Sequence, residues 1–190
     1  MNPSFSKGLT EYAGIFSAFL PITGRNFQFP ELTIRTIQKS ENSSMARIIR
    51  TVMSEYHCVG EGYSIQDAEV DTISEAFSQK NSKYLVITDG EEIFGGGGIG
   101  PLQGAGPEYC ELKKMYFSSQ IRGRGMGKEL VNQLLEFASQ AGYQYCYLET
   151  VERLKTANQL YLKCGFERLT GSIGNTGHNS CELQYLKKLN

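Results

Sequence analysis

Alternating apolar and polar positions in Leu32-Thr-Ile-Arg-Thr-Ile37 predict a first strand, because successive side chains of an extended chain point to opposite faces. The spacing then changes. Met45, Ile48, Ile49, Val52 and Met53 recur every three to four residues and predict a helix, with Ser43 or Ser44 placed to cap it. Val70, Ile73, Ala76 and Phe77 predict a second amphipathic helix. Tyr84-Leu-Val-Ile-Thr88, an Asp89-Gly90 turn and Ile93-Phe94 predict a hairpin that runs into Gly95 to Gly98. Residues 110–117 read as the next strand, followed by a helix with Leu130, Leu134, Phe137, Ala138 and Ala141 on one face and Gly142 at its end. Residues 145–150 resume a strand, and Ala157, Leu160, Tyr161 and Cys164 line a short helix closed by Gly165. Strands near 166–169 and 181–186 enclose a Gly/Asn/Ser-rich loop. The strand, helix, strand, helix order of the second half implies a parallel pair with a right-handed crossover, joined to an antiparallel first half. The class is mixed α and β.

At 190 residues one domain is expected, spanning 31–190, with 1–30 an N-terminal extension that is flexible or docks elsewhere. Tyr12 to Thr23 is mostly apolar and imitates a signal-peptide core, but Glu11 borders it and no A-x-A site follows. No run approaches the ~20 apolar residues of a membrane span, so a soluble protein without a membrane partner is expected. A net charge of -1 offers no overall field for a nucleic acid. The five cysteines are odd in number and form no C-x-x-C pair, which speaks against a disulfide framework or a structural zinc site and for a reducing, cytoplasmic compartment.

The segment richest in chemistry is Arg122-Gly-Arg-Gly-Met-Gly127, between a predicted strand and an amphipathic helix. Such a loop presents backbone N–H groups, and the helix N-terminus adds partial positive charge, so a diphosphate fits there. Glycines let the backbone approach the phosphate oxygens, and Arg122, Arg124 and Lys128 supply local charge. A P-loop is excluded because Glu129 follows Lys128 and position 122 is Arg; a dinucleotide fingerprint is excluded because the loop reads G-x-G-x-G.

Arg122-x-x-Gly125-x-Gly127 resembles the [QR]-x-x-G-x-[GA] pyrophosphate motif of the GNAT superfamily of N-acetyltransferases. The preceding strand, Glu111-Leu-Lys-Lys-Met-Tyr-Phe117, and the later Ala157-x-x-Leu160-Tyr161-x-Lys163-x-Gly165-Phe166 carry the resemblance further, in the family's order. It implies an α+β, single-domain acyl-CoA N-acyltransferase fold: a twisted mixed sheet, splayed at the middle, with helices on both faces. It further implies acetyl-CoA as co-substrate and no metal. The diphosphate would be bound by the loop residues Arg122, Gly123, Arg124, Gly125, Met126, Gly127 and Lys128, and the pantetheine arm would lie along the free edge of the strand from Met115 to Phe117. The Met115 amide would polarise the thioester carbonyl, Tyr161 would protonate the departing thiolate, and Glu111 would act as general base with Glu149 as substitute. The family often has Asn three residues before the alanine of the second signature, where this chain has Leu154; Asn158 is in another register.

The implied activity is transfer of an acetyl group to a primary amine, of a small molecule, by direct attack in a ternary complex. The alternatives are a protein lysine or N-terminal acceptor, and a silent acyl-CoA sensor. Softer signals are Gly95 to Gly98, read as permitting close backbone approach by an acceptor or a bulge, and His178, which could line the amine pocket. A nucleophilic pair of His178 with Cys181 is disfavoured. An exposed strand near the C-terminus suggests a homodimer.

Overall fold

The computed structural model describes residues 31–60, 62–177 and 180–189. Expectations for the extension 1–30 and for His178 fall outside them. One seven-stranded sheet runs through the rest, in the order β1-β2-β3-β4-β5-β7-β6. β1 (Thr33–Thr36), β2 (Lys83–Thr88), β3 (Ile93–Pro101) and β4 (Tyr109–Phe117) form the antiparallel half. β4 then pairs in parallel with β5 (Tyr145–Thr150), and β7 (Leu183–Lys188) runs antiparallel between β5 and the short edge strand β6 (Glu167–Arg168).

Helices cover both faces, as expected. On one lie α1 (Asn42–Glu55) and the single turn α2 (Ile73–Ala76), whose Met45, Ile49 and Ile73 pack with Tyr84 and Val86. On the other lie α3 (Met126–Gln140) and α4 (Lys155–Lys163), whose Leu130, Leu134 and Tyr161 pack with Leu85, Ile87 and Ile99. β2 is apolar at successive positions because both of its faces are covered. Each such buried aliphatic side chain contributes ~1.5–3 kcal/mol.

Two local expectations are corrected. Ser43 and Ser44 lie inside the first turn of α1 and do not cap it; the N-cap is Glu41, and Asn42 ties the helix start to α2 by donating to Glu75 (2.7 Å) and accepting from the Ser74 amide (2.9 Å). The second amphipathic helix is broken into a 3-10 turn, Ala68–Asp71, and α2, although Val70, Ile73 and Phe77 are buried as predicted. The break falls at Thr72, whose backbone (φ -133°, ψ 41°) is not helical, and just ahead of it Asp67 and Glu69 both pair with Lys114.

Candidate active site

β4 and β5 are paired only at Tyr109–Tyr145, Cys110–Cys146 and Glu111–Tyr147. Beyond Glu111 the strands part, and the rest of β4 has no strand partner on that side. A bulge lies just past the parting: Gly96 pairs with Tyr116 and Gly98 with Lys113, so Lys114 and Met115 together face Gly97. Bulges bend a strand and raise its twist. Lys114 takes a left-handed backbone (φ 56°), a strained conformation for a side-chain-bearing residue. It is held there by Tyr84, whose hydroxyl donates to the Lys114 carbonyl (2.8 Å), and by ion pairs of its ammonium with Asp67 and Glu69. The Lys114 side chain is 1% exposed. The glycine run of β3 lies against this bulge. A Cβ on Gly96 would strike the Tyr84 ring, on Gly97 Met115, and on Gly98 the Phe77 ring. The close approach expected there is made by the protein's own side chains.

The parting opens a cavity of about 60 Å³ that is partly open to solvent. Glu111, Met115, Glu149 and Tyr161 all line it. Glu111 is 4% exposed and stands at the last paired position before the splay. Lys113, two residues further along β4, pairs with Glu69 (3.1 Å). Glu149 has both carboxylate oxygens engaged, one by the Tyr147 hydroxyl (2.6 Å) and one by that of Thr176 (2.5 Å). Tyr161, 7% exposed, packs its ring beside Phe166 and Tyr185, with centroids 6.0 and 6.1 Å away. Among the described residues no group hydrogen-bonds its hydroxyl, and burial, with Tyr116 adding, pushes the phenol well above its ordinary value. Burial likewise holds Cys181 as a thiol, pushed up to about 12, which removes it as a nucleophile. Leu154 lines the cavity and precedes α4 as its N-cap residue, while the Asn158 amide donates to the Val151 carbonyl (3.0 Å).

Gly123 (φ 76°) and Gly125 (φ 82°) lie in the left-handed region, and a Cβ on either would meet no protein atom within 4 Å. The amides of Gly123, Gly125, Met126 and Gly127 donate to no protein carbonyl among the described residues, and α3 begins at Met126. Gly127 differs. A Cβ there would lie 3.2 Å from both Leu160 and Phe117, so this glycine allows α3 to pack on α4 and β4. Arg122 is turned to Glu55 of α1 in a two-pronged pair (2.6 and 2.7 Å), and its Nε donates to the Phe117 carbonyl (2.9 Å). It shapes the loop, while Arg124 and Lys128 are exposed beside it. Two buried acceptors, Ser118 Oγ just after β4 and Asn158 Oδ1 on α4, have no hydrogen-bond partner among the described residues. Amides without acceptors, open glycines, a free strand edge and orphaned oxygens are what an extended diphosphate-and-amide ligand such as acetyl-CoA requires. The residues fit it. No helix among the described residues is long and apolar enough to cross a membrane.

The sequence profile described as Acetyltransferase (GNAT) family matches residues 46–166. The chain is 40% identical over 157 residues to an Escherichia coli K12 protein named uncharacterized N-acetyltransferase YjgM, covering 82% of this chain and 94% of that one. It is 34% identical over 100 residues to rat N-acetyltransferase 8B, covering 52% of this chain and 45% of that protein. Among solved structures, a GNAT-family acetyltransferase from Staphylococcus aureus Mu50 superposes with a TM-score of 0.73 at 16% identity, covering 84% of this chain and 100% of that one. An acetyltransferase from Salmonella typhimurium, solved with its cofactor acetyl-CoA, superposes with a TM-score of 0.67 at 16% identity, covering 84% and 95%. At such identities the superpositions establish the fold.

Proposed function

The chain belongs to the GNAT family of acetyltransferases, and from that premise we propose that it transfers the acetyl group of acetyl-CoA to the primary amine of a small molecule by direct attack in a ternary complex. The observation that carries this reading is that Glu111, Met115 and Tyr161, drawn from β4 and α4, line one cavity at the splay. Bound acetyl-CoA supplies an acyl group activated on sulfur. The amides of Gly123, Gly125, Met126 and Gly127 hold its diphosphate, and the free edge of β4 from Met115 to Phe117 aligns the pantetheine arm. The Met115 amide donates to the oxyanion that develops as the amine attacks.

Glu111 takes the amine's proton. An ammonium near ~10.4 and a carboxylate near ~4.3 differ by ~8 kcal/mol, so Glu111 accepts the proton as the new C–N bond forms, directly or through water, and not from the resting ammonium. Tyr161 gives its proton to the departing sulfur. From ~10 for a phenol to ~8.5 for a thiol the transfer is uphill by ~2 kcal/mol in water, and burial of Tyr161 raises that cost. Its proton therefore moves while the C–S bond breaks. A recessed cavity lined by residues of α1, β4 and β5 and by Cys181 supports a small acceptor over a protein surface. Thiol release from acetyl-CoA across a panel of amines tests the reading. Coenzyme A binding without release for any amine would leave an acyl-CoA sensor instead.

A further inference from the structure

We infer that the acceptor is a zwitterionic amine, an α-amino-acid-like molecule whose carboxylate docks on Arg153 while its amine faces Glu111; this rests on the small-amine reading above. Arg153 follows β5 between Val151 and Leu154, both of which line the cavity. Its guanidinium reaches the end of α1. Nη1 donates to the carbonyls of Tyr56 (3.3 Å) and His57 (3.1 Å), and Nη2 donates to the Tyr63 hydroxyl (3.5 Å). All three acceptors are neutral, and a guanidinium has five N–H donors. Capacity remains for an anion.

Its neighbours are arranged otherwise. Arg35, Arg50 and Arg122 are each matched with a carboxylate, Glu41, Asp71 and Glu55, whereas among the described residues no carboxylate lies within ion-pair distance of Arg153. Glu182, the acid whose charge is felt with that of Arg153 at Cys58, accepts from the Glu152 amide (3.3 Å). Burial pushes the Cys58 thiol up and the Arg153 charge pulls it the other way, so that charge acts on a residue of the cavity wall. Planar guanidinium and carboxylate match in two-pronged geometry. The exposed Arg153 lies outside the cavity lining, at its rim, and the lining shared with Glu111 and Glu149 includes Val52, Met53, Tyr56 and Tyr63, which suits an apolar or aromatic body. A peptide N-terminus lacks the α-carboxylate, so the same feature selects against protein acceptors.

The test measures thiol release by the full chain with acetyl-CoA and three acceptors: L-phenylalanine, its carboxamide, and phenethylamine. The acid is expected to exceed both others in kcat/KM by at least about tenfold, the loss of ~1.4 kcal/mol of transition-state binding. Arg153→Gln should collapse that preference to within about twofold, and Arg153→Lys should keep part of it. Comparable use of all three acceptors by the wild type overturns the inference while leaving the small-amine reading intact. A parallel loss on all three in Arg153→Gln also overturns it, reducing Arg153 to a clamp on α1. Coenzyme A binding without thiol release for any of the three overturns the inference, and the same silence across the whole amine panel overturns the small-amine reading as well.

Discussion

Two regions serve the same reaction and are built differently. The loop from Arg122 to Gly127 is contiguous, uses backbone amides and open left-handed glycines, and meets its ligand with groups that every residue has. The acceptor wall gathers side chains from α1, the turn at Tyr63, the segment after β5 and Cys181, more than a hundred residues of chain apart at the extremes. Backbone recognition tolerates change in everything except conformation, so it leaves a short motif. Side-chain recognition depends on which residues the fold happens to juxtapose, so it leaves none. The two are also strapped together: Arg122 of the loop grips Glu55, and Arg153 caps the carbonyls that follow it.

Between them sits Tyr161, and Tyr161→Phe is expected to have the largest effect. General acid catalysis contributes ~10²–10⁴-fold, and turnover at saturating amine should fall within that range. Because no group among the described residues bonds the hydroxyl, the melting curve should stay nearly unchanged. Equal turnover in the two proteins would make Tyr161 a packing residue.

Glu111→Gln should lower turnover more than tenfold, most at low pH, with coenzyme A affinity intact. A pH profile parallel to the wild type would transfer the role to Glu149 or to water. That outcome would be notable, since both Glu149 oxygens are already occupied.

The loop itself can be divided. Gly125→Asn keeps a residue type that tolerates the left-handed region but fills the open cradle, and should weaken coenzyme A binding about tenfold by calorimetry with little change in melting. Gly127→Val should do the reverse, lowering the melting temperature because its side chain meets Leu160 and Phe117. Matching behaviour of the two variants would erase the distinction drawn between them.

The smallest effect concerns the bulge. Burial raises the Glu69 carboxyl, but the ammonium groups of Lys114 and Lys113 outweigh it and hold the group below its ordinary value. Its contribution to stability is therefore full above the unfolded value near ~4.3 and is lost as pH falls through the lower folded one. For a partly exposed pair this is ~1 kcal/mol, or ~2–4 °C in Tm for a chain of this size. Melting curves from pH 6 to 3 should show that decline in the wild type and a shallower one in Glu69→Gln.

Most strands and the two long helices were legible in the sequence, because a period of two or of 3.6 is a local property that burial of one face enforces. The Arg122–Gly127 loop was legible for the same reason: left-handed glycines before a helix are a local device. Resemblance added the grouping of Glu111, Met115 and Tyr161, and they do line one cavity. What the sequence could not determine is where long-range pairs form. Ser43 and Ser44 looked like caps because nothing local shows Asn42 reaching Ser74 and Glu75. Val70 to Phe77 looked like one helix because its apolar spacing runs unbroken across Thr72, where the backbone leaves the helical region. Arg122 looked like a phosphate ligand, and only folding brings Glu55 to it across 67 positions. Only the tertiary structure decides that, among the described residues, no carboxylate pairs with Arg153 beside the cavity, since which charges remain unmatched depends on every chain segment that reaches them.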